Sequence, residues 1–96
     1  MTVRLIALVT INEDQPMALA KYLEITAPVL DRVGAKITSR YQLEDQIVGK
    51  RPAQTVIVVE YPTRQAVEDV FGSAEYKRAI PFRDIAFSEY RVSMIS

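Results

Sequence analysis

The stretch from Thr55 to Pro62 limits most strongly what this chain can fold into, because it contains four β-branched residues in a row, Val56–Val59. Such side chains favour extended backbone, and a short unbroken apolar run is typical of a buried strand. Pro62 has no amide hydrogen and therefore ends the ladder. The stretch predicts a buried strand over Thr55–Tyr61, around which the other elements must pack.

The other elements follow from apolar periodicity and from the positions of glycine and proline. Pro28 and Pro81 are expected to bend the two helical regions that contain them. The predicted elements in chain order are a strand over Val3–Ile11, a helix capped by Asp14 with Pro16 in its first turn and Gly34 at its end, a strand over Ile37–Leu43, a hairpin loop over 44–54, the strand over Thr55–Tyr61, a helix from Thr63 to Phe71, a helix capped by Ser73, and a strand over Glu89–Ile95.

The element order β-α-β-β-α-β predicts an α+β domain of the ferredoxin-like type. Right-handed crossovers then give four antiparallel strands in the spatial order 4-1-3-2, with both helical regions on one face of the sheet. A chain of 96 residues has room for one core of this kind. We therefore expect a single domain over residues 1–96.

The first strand carries apolar residues on both faces, and this predicts self-association. Since alternate residues of a strand point to opposite sides, Val3, Leu5 and Val9 should face the helices and Ile6 and Leu8 the uncovered side. Burying the uncovered apolar residues at roughly 1.5–3 kcal/mol each gives on the order of 10 kcal/mol per subunit, against an association cost of about 4–15 kcal/mol. We expect a two-fold homodimer through this face, the alternative being a monomer with an exposed apolar face.

Composition excludes several classes of function. Twelve basic residues balance twelve acidic ones, so we expect no nucleic acid or anionic membrane as a partner. The chain has no cysteine and no histidine, which removes thiol nucleophiles and the commonest metal and haem ligands; we predict no metal and no cofactor. The apolar N-terminal stretch is interrupted by Arg4 and is too short to span a membrane, so we expect a cytoplasmic protein.

Three motifs give the chain a resemblance to a known family. They are Val59-Glu60-Tyr61-Pro62-Thr63, then Phe71-Gly72-Ser73-Ala74-Glu75-Tyr76, and then Arg83. Together they are similar to the family catalogued as domain of unknown function 1330, and the segment from Gly34 to Arg40 resembles the second strand of that family. The resemblance implies a dimeric α/β-barrel fold, in a superfamily that also holds cofactor-free monooxygenases, isomerases and haem enzymes. It implies no particular activity, because none is established for the family.

Arg40 and Glu60 form the first candidate site. A roughly symmetric hairpin centred near Lys50 would place Arg40 opposite Glu60 on neighbouring strands, with both side chains facing the barrel interior. There a partly desolvated carboxylate could act as a catalytic base, and the guanidinium could orient an anionic or enolic substrate. The alternative for the same two residues is a cross-strand ion pair that contributes about 0.2–1 kcal/mol.

Ser73, Tyr76 and Arg83 form the second candidate site, to which Tyr22 is added as a ligand-binding residue. A tyrosine hydroxyl and an arginine near a pocket mouth could bind a carboxylate or a phenolate. Ser73 has no histidine to activate it for acyl transfer. The structural alternatives are that Ser73 caps a helix and that the tyrosines, Tyr90 among them, pack in the core or in an interface.

Two hypotheses for function stay open at this stage. In the first, the chain is a homodimer that binds a small, partly apolar ligand inside the barrel, with cofactor-free catalysis as one form of that activity. In the second, it is a non-catalytic structural or regulatory dimer whose sheet face serves assembly alone. An internal cavity of a few hundred cubic ångströms walled by Arg40 and Glu60 would favour the first. A closed, dry interface packed by Ile6, Leu8 and Val58 would favour the second.

Overall fold

The computed structural model describes residues 2–95, which form four strands and three helices. None of the helices in this part of the chain is long and apolar enough to cross a membrane. In chain order the elements are β1 (Val3–Ile11), α1 (Pro16–Val33), β2 (Lys36–Gln42), β3 (Thr55–Tyr61), α2 (Arg64–Phe71), α3 (Ala74–Ala86) and β4 (Phe87–Ile95).

The four strands form one antiparallel sheet in the order β2-β3-β1-β4. This is the predicted order read from the opposite edge, so the ferredoxin-like α+β fold is confirmed. β3 lies inside the sheet between β2 and β1, where both of its faces can be covered. Its bounds, Thr55–Tyr61, are those that the β-branched run and Pro62 predict.

The start of α1 differs from the prediction. Gln15 occupies the N-cap position and makes no side-chain capping bond, so the prediction that Asp14 caps this helix is wrong. The reason is Pro16, whose fixed φ suits the first helical position and which therefore makes the residue directly before it the cap. The backbone amide of Asp14 instead donates to Oδ1 of Asn12 at 3.3 Å. At the other end, Gly34 ends α1 with a φ of 80°, a left-handed conformation that favours glycine.

The chain passes from α3 to β4 without a loop. We expected the last strand to begin at Glu89, but it begins at Phe87, directly after α3 ends at Ala86. Pro81 lies inside α3, as Pro28 lies inside α1, and each helix continues past its proline. β4 pairs with β1 along nearly its whole length, from Phe87 opposite Ile11 to Ile95 opposite Arg4.

The side chains of the sheet divide between a helix-covered face and an open face. On β1, Leu5 and Val9 are each 4% exposed and lie on the helix-covered face, where the core forms. Ile6 and Leu8 alternate with them, are only partly buried, and lie on the open face, as predicted. The buried core cluster joins β1 and β3 to all three helices and consists of Leu5, Tyr22, Val29, Tyr61, Ala66, Val67, Val70, Tyr76 and Ala79.

Candidate ligand-binding site

A cavity of about 80 Å³, here called the tyrosine cavity, lies between the helices and the covered face of the sheet. Its walls are mainly apolar, but four of the five tyrosines of the chain contribute to them. One water molecule needs roughly 10–15 Å³ of such space and about 150 Å³ admits benzene, so the tyrosine cavity accommodates a molecule of a few heavy atoms. The lining residues are Leu5, Ala7, Tyr22, Thr26, Leu30, Val59, Tyr61, Val70, Phe71, Tyr76, Tyr90 and Val92.

Three of these tyrosines, from α1, α3 and β4, join their hydroxyl groups in one network. The Tyr22 hydroxyl oxygen lies 2.6 Å from that of Tyr90 and 3.5 Å from that of Tyr76. The Tyr22 ring meets the other two nearly at right angles, with centroid distances of 6.0 Å to Tyr90 and 6.4 Å to Tyr76. Such edge-to-face contacts favour one ring orientation. Packing therefore holds the three hydroxyls where they meet.

Arg83 connects this network to the surface. Its Nη1 donates to the Tyr76 hydroxyl at 3.1 Å, while Nε and Nη2 donate to Oδ1 of Asp84 at 3.4 and 3.3 Å. The guanidinium carbon also lies 5.3 Å from the ring centroid of Tyr90, within the range of a cation–π interaction. The Arg83 side chain is 25% exposed and that of Asp84 is 65% exposed. The positive charge therefore lies at the boundary between solvent and the tyrosine network.

Tyr61, the last residue of β3, lines the same cavity but lies outside the network. It is 2% exposed, and its hydroxyl makes no hydrogen bond to another residue in the range 2–95. Every fully enclosed side-chain oxygen of the described residues has a hydrogen-bond partner. Since the Tyr61 hydroxyl has none, it must border open space. The tyrosine cavity is the space that Tyr61 lines. The Tyr61 hydroxyl can therefore donate its proton into the cavity.

Burial raises the pKa of three of these phenols, those of Tyr22, Tyr61 and Tyr90. Desolvation, followed by the neighbouring Tyr76, raises the pKa of Tyr61 to about 12. Desolvation is also the largest cause that raises the pKa of Tyr22 and the pKa of Tyr90 above the ordinary value of tyrosine. Tyr22, Tyr61 and Tyr90 therefore present neutral hydroxyl groups to the cavity, which can donate hydrogen bonds, and not phenolate bases.

The cavity offers hydrogen bonds but no general base. None of the described residues that line it carries a carboxylate, an imidazole, a thiol or an amine. Within residues 2–95 no group of acidic side chains is arranged to hold a metal ion. The arrangement can donate hydrogen bonds to an acceptor oxygen in apolar surroundings, where such bonds are stronger than in water.

The structure brings together three of the four residues predicted to bind a ligand. Tyr22, Tyr76 and Arg83 form one hydrogen-bonded group. The fourth, Ser73, lies at the start of α3, where its Oγ accepts from the amide of Tyr76 at 3.0 Å and donates to the carbonyl of Val70 at 2.7 Å. Ser73 thus caps the helix and positions Tyr76. The ligand-binding roles of all four stay predictions.

The other predicted pair, Arg40 and Glu60, is separated by the register of the β2–β3 hairpin. Arg40 lies opposite Ile57, and Glu60 lies opposite Lys36, so the expectation that Arg40 and Glu60 face each other is wrong. The hairpin turns earlier than Lys50, with Gly49 at a φ of 77°, and the pairing shifts by one residue within β2. A slip of one residue moves a side chain to the other face of a sheet.

Consequently the two residues lie on opposite faces. Arg40 shares the helix-covered face with Ile57, whereas Glu60 lies on the open face, between Arg4 of β1 and Lys36 of β2. Neither residue lines the tyrosine cavity. Arg40 and Glu60 therefore do not form the wall of one cavity of a few hundred cubic ångströms. Their catalytic roles stay predictions.

Tyr61 is not among the predicted site residues, and Tyr90 is predicted only to pack in the core or in an interface. Strand alternation carried a signal for both, because Tyr61 shares a face with Val59, and Tyr90 shares one with Val92. These faces turn out to be the helix-covered side, where all four residues line the cavity.

The sequence matches the family described as Domain of unknown function (DUF1330) over residues 3–96. The chain belongs to this family. The match confirms the resemblance carried by the motifs between Val59 and Arg83, and the description of the family states no activity for its members. Among proteins of curated function, none matches this DUF1330 chain.

Several solved structures share its fold. RPA0582 from Rhodopseudomonas palustris, described as a protein of unknown function, is 23% identical with a TM-score of 0.81, and the alignment covers 98% of this chain and 80% of that one. A dimeric ferredoxin-like protein from Bacteroides fragilis is 10% identical with a TM-score of 0.60, covering 99% and 95%. Another from Thermobifida fusca is 10% identical with a TM-score of 0.59, covering 100% and 91%. Identities this low establish the fold alone.

Proposed function

We propose that this DUF1330 protein binds a small carbonyl or carboxylate compound in the tyrosine cavity. The observation that supports this best is the Tyr61 hydroxyl, which borders the cavity and has no partner among the described residues. A ligand oxygen in the cavity would accept from it, in a hydrogen bond that contributes about 0.5–1.5 kcal/mol. A short apolar substituent on the ligand would contact aliphatic wall residues such as Leu5 and Val92.

The number of protons in the hydrogen-bond network favours the same ligand. A guanidinium can only donate, so the Tyr76 hydroxyl accepts from Arg83, whereas either hydroxyl can be the donor in each of the two tyrosine–tyrosine bonds. The three hydroxyls of Tyr22, Tyr76 and Tyr90 carry three protons for these two bonds, so one proton is not used within the network. Bonds joined in this way polarise one another, and the charge of Arg83 lies beside the Tyr90 ring. The network thus supplies a second donor for an acceptor oxygen.

The size of the tyrosine cavity and the side chains of its wall support binding of a ligand and not catalysis. A space of about 80 Å³ admits a compound with a few heavy atoms, and the described wall residues supply no group that titrates near neutral pH. Proton abstraction by a side chain of the wall, which requires a base with a pKa near the working pH, is therefore not part of the proposal.

We infer that two copies associate through the open face of the sheet. The partly buried apolar pairs at the centre of this face are Ile6–Val58 and Leu8–Val56. Charged residues such as Arg4 and Glu60 lie towards its end, which is the arrangement of an apolar interface centre with a polar rim. The Bacteroides fragilis and Thermobifida fusca proteins of the same fold are described as dimeric. The apolar face also favours a second candidate function, in which assembly alone is the role of the protein.

Isothermal titration calorimetry with acetate and with acetone tests the ligand proposal. We expect the wild-type protein to bind at least one of these probes, and Tyr61→Phe to bind it roughly tenfold more weakly, because one hydrogen bond is lost. The Phe variant should fold normally, since it removes only a hydroxyl that has no partner among the described residues. Denaturant unfolding of the same sample establishes that.

Tyr41→Phe is the matched control, because Tyr41 is 60% exposed on β2 and does not line the cavity. It should bind the probe as the wild type does. Absence of binding of both probes to the wild type would overturn the proposal and leave assembly as the function. An equal loss in the Tyr61 and Tyr41 variants would also overturn it.

A further inference from the structure

A second concave site lies on the same side of the sheet, between α1 and the edge strand β2. It is a groove of about 290 Å³, close to the lower limit of about 300 Å³ for small-molecule pockets. Its apolar walls include Leu19 and Leu23 of α1, Ile57 of β3 and Phe87 of β4. Leu23 is 51% exposed, although leucines of an amphipathic helix usually face a core. We call this feature the edge groove.

The polar side chains of the edge groove present hydrogen-bond donors. Arg40 and Gln42, two residues apart on β2, line it together with Thr55 of β3. The Thr55 hydroxyl donates to Oε1 of Gln42 at 2.7 Å, which occupies the acceptor end of the amide and leaves its NH₂ end available. None of the ion pairs formed within residues 2–95 includes Arg40. The Arg40 cation and the Gln42 amide donor thus lie beside the apolar walls of the edge groove.

We propose that the edge groove binds an aliphatic monocarboxylate, with its carboxylate on Arg40 and Gln42 and its hydrocarbon tail against Leu19, Leu23 and Ile57. A guanidinium and an amide NH₂ match the two oxygens of a carboxylate, and charge-assisted bonds of this type are the strong ones. An aliphatic tail removes from water the leucine surface that the helices leave exposed. A phosphate ester or a polar anion would satisfy the donors but leave the apolar walls uncovered.

The site is independent of the tyrosine cavity. The two share no lining residue, and the edge groove is about three and a half times as large. It also lies on the helix-covered side of the sheet, because Arg40 pairs with Ile57 and Gln42 with Thr55, so a dimer through the open face would leave it accessible. Binding at one site can therefore fail while binding at the other is observed.

Calorimetric titration with octanoate, hexanoate and octanamide tests the proposal on the full chain. Octanoate should bind with one site per chain. Hexanoate should bind about 15-fold more weakly, because each buried methylene contributes about fourfold. Octanamide, which has the same tail without the charge, should bind at least tenfold more weakly than octanoate. Equal affinities for octanoate and octanamide would overturn the role of the cation.

Three variants locate the site. Arg40→Ala should weaken octanoate binding about tenfold, and Leu23→Asp should abolish it by placing a negative charge beside the tail. Arg64→Ala removes another exposed arginine, at the start of α2, and should change nothing. An unchanged affinity in Arg40→Ala, or an equal loss in Arg64→Ala, would contradict the assignment. A loss in Tyr61→Phe would place the ligand in the tyrosine cavity and overturn it as well.

Discussion

At the centre of the helix-covered face, polar groups lie inside as phenol hydroxyls, whereas on the open face they lie at the margin as charged side chains. Tyr61 on the covered side is 2% exposed. Glu60, its neighbour in sequence, lies on the open side opposite Arg4. The centre of the open face is apolar, with Ile6 opposite Val58.

This difference indicates what each face lacks. Around the tyrosine cavity the covered face is packed against the chain's own helices, and what is missing there is a hydrogen-bond partner for the Tyr61 hydroxyl. None of the described helices covers the open face, so its apolar residues lack an apolar surface to pack against. A small polar ligand suits the first face, and a second copy of the chain suits the second.

Placing a charge at the centre of the open face should have the largest effect. Ile6→Asp should raise the dissociation constant of the proposed open-face dimer at least 100-fold, because a carboxylate buried without a partner costs several kcal/mol and a two-fold axis introduces it twice. Light scattering over a dilution series measures this. Ala20→Asp, at an exposed position of α1, should leave the dimer intact. Unchanged association of Ile6→Asp would contradict the open-face dimer.

Truncating the wall between α2 and the tyrosine cavity should have the next largest effect. Val70 is 2% exposed, so Val70→Ala should lower the free energy of unfolding by about 2 kcal/mol, through lost contacts and an enlarged cavity. Val48 is 82% exposed, and Val48→Ala should change the free energy by less than about 0.5 kcal/mol. Denaturant unfolding at equal protein concentrations compares the two. Similar losses would mean that the covered face is not packed as described.

Removing the helix cap at Ser73 should have a smaller effect. Ser73→Ala should cost about 1 kcal/mol of stability, because the amide of Tyr76 loses its acceptor, and Ser73→Asp should restore most of it. If Ser73 contacted a ligand directly, Ser73→Asp would instead restore stability without restoring probe binding. The same unfolding and calorimetric measurements distinguish these roles.

The smallest effect at neutral pH should come from removing the Tyr61 hydroxyl. The pKa of Tyr61 is raised to about 12 in the folded protein, against about 10 in the unfolded chain. Below pH 10 the Tyr61 phenol is protonated in both the folded and the unfolded state. Between pH 10 and 12 the unfolded state binds fewer protons than the folded state, so the free energy of unfolding falls as pH rises. Unfolding curves of Tyr61→Phe should therefore decline less steeply over this range than those of the wild type. Parallel curves would contradict burial of this phenol.

The sequence predicts most of the fold because its strongest signals are local. The β-branched run and Pro62 define β3 to the residue, and alternation along β1 separates Leu5 from Ile6 correctly. Signals at helix ends are weaker: Asp14 is a good capping residue, but Pro16 determines where the helix begins. The predicted start of the last strand at Glu89 is two residues late, because α3 continues to Ala86 and β4 follows it directly.

The candidate site depends on long-range register, and the sequence contains little information on that. The residue that lies opposite Arg40 is determined by the turn at Gly49 and by one extra residue in β2. The pattern of apolar residues in the sequence indicates neither of these features. The meeting of Tyr22, Tyr76 and Tyr90 depends on how three separate elements pack, because these residues are 14 to 68 positions apart in the chain. Composition shows five tyrosines but not that four share one cavity.

The most direct test of ligand binding in the tyrosine cavity is a nuclear magnetic resonance titration of protein labelled with carbon-13 at the tyrosine ring carbon that bears the hydroxyl. Five resonances are expected, and Tyr41, exposed on β2, serves as an internal reference. On addition of acetate or acetone, the resonances of Tyr61 and Tyr90 should shift and saturate while that of Tyr41 stays in place. If all five resonances stay in place, or if Tyr41 shifts together with the others, the tyrosine cavity is not a binding site.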